Sequence, residues 1–301
     1  MAKPAGEECK ISTGGKNEKK RPVFSIAVLW CIVVCGLIKV AYSYDLLLMV
    51  PPILSGKKIG WQPLNDTGIT WSGNYASGNN ATCLSSTAPD GDNVAAAQDC
   101  SYGKDVNDDG GDGHAGFSFT KLASNGQALA NQNADYTTTS WACVKDNVTG
   151  LTWEVKTDDS GLHDKDDEYT WYNTDSTNNG GFVGYAQQSG NSCYGYDSGD
   201  PATYCNTQDY VNRVNAAGWC GASDWRVPTR TELESIVIYD HYSFTLDTDF
   251  FVHAVNSFFW SSSPYAYNIN YTWCVSFANG LSSYDNYRSS SYAVRLVRGG
   301  Q

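Results

Sequence analysis

The side chains best suited to chemistry in this chain fall in three separate groups: carboxylates, cysteines and phenols. Asp105, Asn107, Asp109 and Gly110 have the spacing that opens an EF-hand calcium loop, with Asp112 close behind. Calcium takes six to eight oxygens, and Gly116 stands where the bidentate Glu of such a loop belongs. No helical pattern flanks the run, so a solvated acidic turn explains it better than a metal site. His114, next to Gly113, reads as a turn residue rather than a ligand. Residues 158–168 form a second acidic loop, around His163. Paired carboxylates can serve as general acid and base, but nothing in that loop looks buried, so no shifted pKa is implied and a solvated face is expected. The sequence contains no metal-ligand spacing, nucleophile elbow or phosphate-binding loop.

Seven cysteines follow residue 43: Cys83, Cys100, Cys143, Cys193, Cys205, Cys220 and Cys274. An odd count leaves one outside a disulfide framework or paired between chains. Cys83 with Cys100 and Cys193 with Cys205 are close in sequence and easily bridged, although sequence alone does not fix connectivity.

The phenols concentrate between residues 258 and 300. Trp260, Trp273, Val275, Phe277, Val294, Leu296 and Val297 have the apolar, β-rich character of short half-buried strands. Between them lie Tyr265, Tyr267, Asn268, Asn270, Tyr271, Ser282, Ser283, Tyr284, Asp285, Asn286, Tyr287, Ser290, Ser291 and Tyr292. Tyr gives stiff amphipathic contact area and Ser and Asn give adaptable hydrogen bonds, the mixture used by antibody loops. Residues 262–300 contain no Lys, Glu, Gln, Met or His, although an ordinary solvated segment carries several.

Positioning these groups requires a frame of short strands. The chain has 301 residues and a formal charge of −12, which argues against nucleic acid as a partner. A basic stretch ahead of the apolar run 23–38, followed by Ala41-Tyr42-Ser43, reads as a signal peptide over 1–43, or as an uncleaved anchor. It is the only membrane contact expected. Residues 44–140 are Gly-, Asn- and Asp-rich and loop-dominated. Residues 141–154 read as strand–turn–strand around Asp146 to Gly150. Asn206 or Thr207 caps a helix over 208–217, with Tyr210, Val211 and Val214 as its apolar stripe. Thr229-Arg230-Thr231-Glu232 is a capping box after Pro228, predicting a helix to about residue 239 with Leu233, Ile236 and Val237 inward.

DNVTGLTWE (146–154), GASDWRVPTRTEL (221–233), FWSSSPYA (259–266), W-x-V-x-F-x-x-G (273–280) and VRLVRGG (294–300) together resemble the C-terminal domain of the Legionella collagen-like adhesin, over residues 141–301. DGHAGFSFTKL (112–122) is similar to the lead-in of many members. The resemblance implies an α+β domain related to the C-type-lectin-like and formylglycine-generating-enzyme folds: a small twisted antiparallel sheet with two helices and long loops. Domains of this fold recur as variable proteins of diversity-generating retroelements, where adenine-directed mutagenesis rewrites a C-terminal segment. Rewriting the adenines of Asn codons never yields Lys, Glu, Gln, Met or Trp, and the interleaved positions keep to that alphabet. The implied varied face spans 264–292. Cys274 is then expected to be a product of diversification, pointing away from Trp273 and Val275 toward that face. Cys143 is left to pair with Cys220.

Three readings follow: an exported or surface-displayed, adhesin-type ligand-binding protein; a structural appendage protein; or an oxidase like the formylglycine-generating relatives. The last needs an activated Cys, and no His follows His253 to assist Cys274. The first is preferred, in the periplasm or on the surface of a bacterium. The adhesin that names the family is associated with sulfated glycosaminoglycans, which an acidic chain without basic clusters does not suit. A surface protein or a neutral glycan fits better. No catalytic residue and no cofactor is expected, calcium at Asp105, Asn107, Asp109 and Asp112 being the one alternative.

Overall fold

The computed structural model of the chain describes residues 64–74, 78–80, 111–187, 192–241 and 243–299. Cys83, Cys100, Asp105, Asn107, Asp109 and the N-terminal apolar run lie outside the described residues. In chain order the elements are β1 (Ser72–Asn74), β2 (Gly78–Asn80), β3 (Phe119–Leu122), β4 (Cys143–Asp146), β5 (Thr152–Glu154), α1 (Thr207–Ala217), α2 (Arg230–Glu234), β6 (Phe258–Pro264), β7 (Tyr271–Ser276), β8 (Ser282–Tyr287) and β9 (Val297–Arg298). The α+β class is as expected, but the expected small sheet is divided. A four-stranded sheet has the order β3-β4-β5-β9, a three-stranded sheet the order β6-β7-β8, and β1 pairs with β2. All of these pairings are antiparallel. Among the described residues no helix is long and apolar enough to cross a membrane.

The C-terminal motif holds the two larger sheets together. Ala293 bridges Phe259 of β6, and β9, a few residues on, pairs with β5. The side chains of this segment alternate, as an extended chain must. Val294 and Leu296 enter one apolar cluster with Trp260, Trp225 and Tyr210. Ala293 and Val297 enter the other, with Trp153, Leu233 and Phe259. Arg295 is also fully buried; its guanidinium lies 5.2 Å from the Phe251 ring centre, and Nη1 donates to Glu154 O at 2.6 Å. Burial pushes this guanidinium down to about 10.

Strand–turn–strand forms as predicted, because Asp146 organises its turn. Its Oδ1 accepts from the backbone N–H of Val148 and Thr149, and Gly150 continues the turn at φ +74°. In α1 the Asn206 side chain accepts from Asp209 N, while Tyr210 and Val214 are buried. The Thr229/Glu232 capping box is present, but α2 ends at Glu234, well short of residue 239. Ile236, Val237 and Ile238 are β-branched and resist helix. After Val237 the backbone pairs elsewhere: Ile238 N donates to Thr245 O and Tyr239 N to Thr67 O. Leu233, Ile236 and Val237 are nonetheless all buried.

The segment 225–228 is extended, with Arg226 bridging Val297. Trp225 is 2% exposed; its indole N–H donates to Trp219 O at 2.9 Å, and its backbone N–H and C=O both bond the Asn215 amide. Trp225→Ala should therefore lower the unfolding free energy by about 3–5 kcal/mol, read from urea unfolding. A loss below about 1 kcal/mol would mean that the site collapses without harm.

The acidic loop departs most from expectation. His163 and Asp164 are each 5% exposed, not solvated. His163 stacks on Trp219 at 3.7 Å, and its Nδ1–H donates to Glu154 Oε1 at 2.8 Å. The same oxygen accepts from Lys156 Nζ at 3.2 Å and from the Tyr210 hydroxyl, while Oε2 accepts from Leu296 N at 2.8 Å. Burial alone would raise the Glu154 pKa, but Lys156, His163 and Tyr210 outweigh it and hold the carboxyl at about 2. Burial pushes the Lys156 ammonium below its usual value, and raises Asp167 and Glu168 above theirs. The loop thus closes over a buried ionic cluster.

Candidate ligand-binding face

The three-stranded sheet presents the tyrosines because its strands are bulged. Register shifts fall between Trp260 and Pro264 in the β6–β7 pairing and between Thr272 and Cys274 in the β7–β8 pairing. Bulges twist strands and re-aim side chains. Both faces of β7 are covered at its C-terminal half, where Cys274 and Val275 are each 0% exposed and enter opposite apolar clusters. Cys274 is therefore not on the varied face, which corrects the sequence expectation; it packs inward with Trp260 and Val294. The two disulfides described are Cys143–Cys220, with Cα atoms 6.6 Å apart, and Cys193–Cys205, as expected, and Cys274 belongs to neither.

Trp273, read from sequence as scaffold, is only partly buried and takes part in the face. Tyr265 and Tyr284 stack at 4.7 Å and 21°, and Trp273 meets both edge-on, at 5.6 and 5.5 Å. Such pairs hold one another in fixed orientation. The Arg230 guanidinium, from α2, lies 4.4 Å from the Trp273 ring centre and 3.3 Å from Glu234 Oε1. Ser282 Oγ donates to the same Glu234 oxygen at 2.5 Å. Helix α2 thus braces one border of the platform.

Tyr267 stands at the tip of the β6–β7 loop and is 90% exposed, with its ring 5.8 Å from that of Tyr265. The loop is stiffened from within: Asn268 N donates to Tyr265 O, Tyr271 N to Asn268 O, and Asn268 Oδ1 accepts from Asn270 N. Tyr271 and Tyr287 are register partners on β7 and β8, with rings 4.4 Å apart. The β7–β8 turn depends on Gly280, at φ +71°, where a Cβ would stand 2.8 Å from Val237 Cγ1. Any side chain there would push the turn off the segment that follows α2.

The structure brings Tyr265, Tyr267, Asn268, Asn270, Tyr271, Ser282, Ser283, Tyr284 and Tyr287 to this face or its border, and Asp285 lies in β8. Two predicted residues turn away from it. Asn286 is 5% exposed, and Tyr292 packs its ring 4.9 Å from Trp260. Ser290 and Ser291 follow the strand, partly buried. Asp112, the described member of the calcium set, accepts from Ser118 Oγ at 2.5 Å. Beneath the strands Arg288 is fully buried over Trp171 and donates to Asn179 O, Phe182 O and Tyr271 O. Burial pushes its guanidinium down to about 10. Beside the face, Ser262, Ser263 and Pro264 line a cleft of about 740 Å³ together with Trp171, Asn173 and Gln208.

Arg230 reaches the face from α2, more than 30 residues before the tyrosine-rich stretch, and Trp273 is hidden among the scaffold positions. Parity along β7 put Trp273 with Val275, and nothing in the sequence reveals that the covering layer stops between them.

These features define an α+β domain with one aromatic platform framed by short polar side chains. The chain belongs to the Lcl C-terminal domain family, whose model matches residues 142–298. No curated protein and no solved structure matches the chain.

Proposed function

We propose that the chain is an exported, surface-displayed binding protein of adhesin type, which grips its ligand with the Tyr265–Trp273–Tyr284 platform and the rim residues Tyr267, Tyr271 and Tyr287. The observation that carries this reading is the geometry of that platform. Large stiff rings, already stacked on one another, lose little freedom when a partner covers them. Membership in a family named for an adhesin domain, together with two disulfides, supports export to an oxidising compartment.

The ligand is a neutral glycan or a surface protein. Arg230 is paired with Glu234, and the face offers no cluster of cations for a sulfated chain. The Glu154–His163–Tyr210 cluster resembles acid–base machinery in composition, but its side chains are 0–7% exposed or fully buried and serve the core. The residue alphabet of the face further supports a segment rewritten by a diversity-generating retroelement on a C-type-lectin-like scaffold. A near-repeat of the 3′ coding segment beside a reverse-transcriptase gene would be the expected genomic context.

The test is a screen of the purified chain on neutral and sulfated glycan arrays and against bacterial and host surface proteins. Saturable binding to a neutral glycan or a protein, insensitive to moderate salt, is expected. Binding confined to sulfated glycans, or to none of these, would overturn the proposal.

A further inference from the structure

Away from the aromatic face, two histidines and a carboxylate from distant parts of the chain converge. His114 belongs to the lead-in DGHAGF, read from sequence as a turn, while Asp240 and His241 follow the extended segment after α2. His114 Nε2 stands 3.0 and 3.1 Å from the two carboxylate oxygens of Asp240 and 3.1 Å from Gly68 O. His241 Nε2 is 3.7 Å from Asp240 Oδ1, and the two imidazole rings are 4.7 Å apart. One ligand atom from each of the three residues lies within 4.8 Å of the others.

This convergence suits a cation. Carboxylate and carbonyl oxygens only accept hydrogen bonds, and an imidazole nitrogen without its proton does the same. A single proton on Nε2 cannot point at three oxygens with good geometry. Donor atoms around a tetrahedral zinc at about 2.0–2.1 Å lie roughly 3.3 Å apart. The two histidine–carboxylate distances of 3.0 and 3.7 Å fall on either side of that spacing, and the two imidazoles, whose ligand atoms lie within 4.8 Å of each other, would close on one another as an ion enters.

We propose that His114, Asp240 and His241 bind a divalent transition-metal ion of the zinc class. Two imidazoles favour zinc, nickel or copper over calcium and magnesium, which want oxygen alone. Three protein ligands leave a fourth position for the Gly68 carbonyl oxygen or water. Supporting contacts of the kind that orient metal ligands are already in place. Thr70 Oγ1 donates to Asp240 Oδ2 at 2.9 Å, and Asp247 Oδ2 accepts from the His114 backbone N–H at 3.0 Å. Gly68 is at φ +71°, and a Cβ there would meet Ile238 Cγ2 at 3.0 Å and His114 Cδ2 at 3.3 Å, so glycine lets its carbonyl approach. His114 and His241 are partly exposed, and both line a cleft of about 740 Å³, which gives an ion a way in. The ion would clamp the segment around Gly68 and Thr70 to the lead-in and to the turn after α2.

The test uses the full chain stripped with EDTA, then titrated with zinc, cobalt(II) or calcium by calorimetry and thermal unfolding. Zinc is expected to bind one per chain and to raise the melting temperature by mass action, with calcium doing neither at the same concentration. Cobalt should give visible d–d bands without a thiolate charge-transfer band. His241→Ala, at a partly exposed position, should weaken zinc by more than about 100-fold, and Thr70→Val by about 10-fold. No saturable zinc or cobalt binding, or unchanged affinity in folded His241→Ala, would overturn the site. Should that variant fail to fold, X-ray absorption of the zinc-loaded wild type decides: two imidazoles and oxygen support the site, and a sulfur shell refutes it.

Discussion

Glu154→Ala should destabilise the protein by about 3–5 kcal/mol, the usual effect of removing one partner from a buried ionic cluster. Glu154 is fully buried and accepts from Lys156, His163, Tyr210 and the Leu296 backbone N–H. Its loss leaves the Lys156 ammonium, 2% exposed, without its hydrogen-bonded counter-charge, and strands several donors at once. The Leu296 contact is also part of the link between the two larger sheets, so damage should reach the aromatic face through β9 and the adjoining 293–296 segment. Chemical denaturation checks this, and a loss of under 1 kcal/mol would show that water reaches the cluster and replaces the carboxylate.

The same residue sets a pH dependence. Its folded pKa of about 2 lies below the ordinary value of 4.5, so its contribution is fully present above pH 4.5 and fades as the pH falls toward 2. The shift corresponds to a loss on the order of 3 kcal/mol. Asp167, Glu168 and Asp247 act in the opposite sense, because burial raises their pKa values and their contributions fade as pH rises through them. Comparing the wild type with Glu154→Gln isolates the first effect. Between pH 5 and 2 the variant's stability should fall less steeply, and parallel curves would contradict the assignment.

The motifs announced the frame better than the surface. DNVTGLTWE predicts its hairpin because Asp146 and Gly150 have the chemistry a turn needs, and the capping box marks where α2 begins. Where α2 ends was hidden, since Leu233, Ile236 and Val237 keep helical spacing while the β-branched run and pairing with Thr245 and Thr67 draw the chain out straight. The buried cluster was hidden too. Glu154, His163, Tyr210 and Leu296 are spread over more than a hundred residues, and only the fold shows that one carboxylate gathers donors from the other three. Composition did mark the tyrosine-rich stretch. It could not separate Tyr284, which faces outward, from Asn286 two residues later, which is buried, because the bulges that sort them depend on pairing.

Replacing Tyr267, Tyr271, Tyr284 and Tyr287 together by Ala should abolish binding to whatever ligand the screen returns while leaving the fold intact. Tyr267, Tyr284 and Tyr287 are 90%, 49% and 54% exposed, so their removal opens no cavity in either apolar cluster. The structural costs are the Tyr271–Tyr287 cross-strand pair, worth roughly 0.2–1 kcal/mol, and the contacts of Tyr284 with Tyr265 and Trp273, each worth roughly 0.5–1.5 kcal/mol. Exposed aromatic anchors contribute roughly 2 kcal/mol or more each at a binding hot spot. Four such losses take any micromolar or nanomolar complex beyond detection. Trp273→Ala alone should fall between the two extremes, since it removes the ring that Tyr265 and Tyr284 meet edge-on and the surface on which Arg230 rests. Binding by calorimetry or surface plasmon resonance, alongside unfolding curves for Trp225→Ala, separates face from scaffold. A quadruple variant that still binds, or one that melts as early as Trp225→Ala, would sink this division of labour.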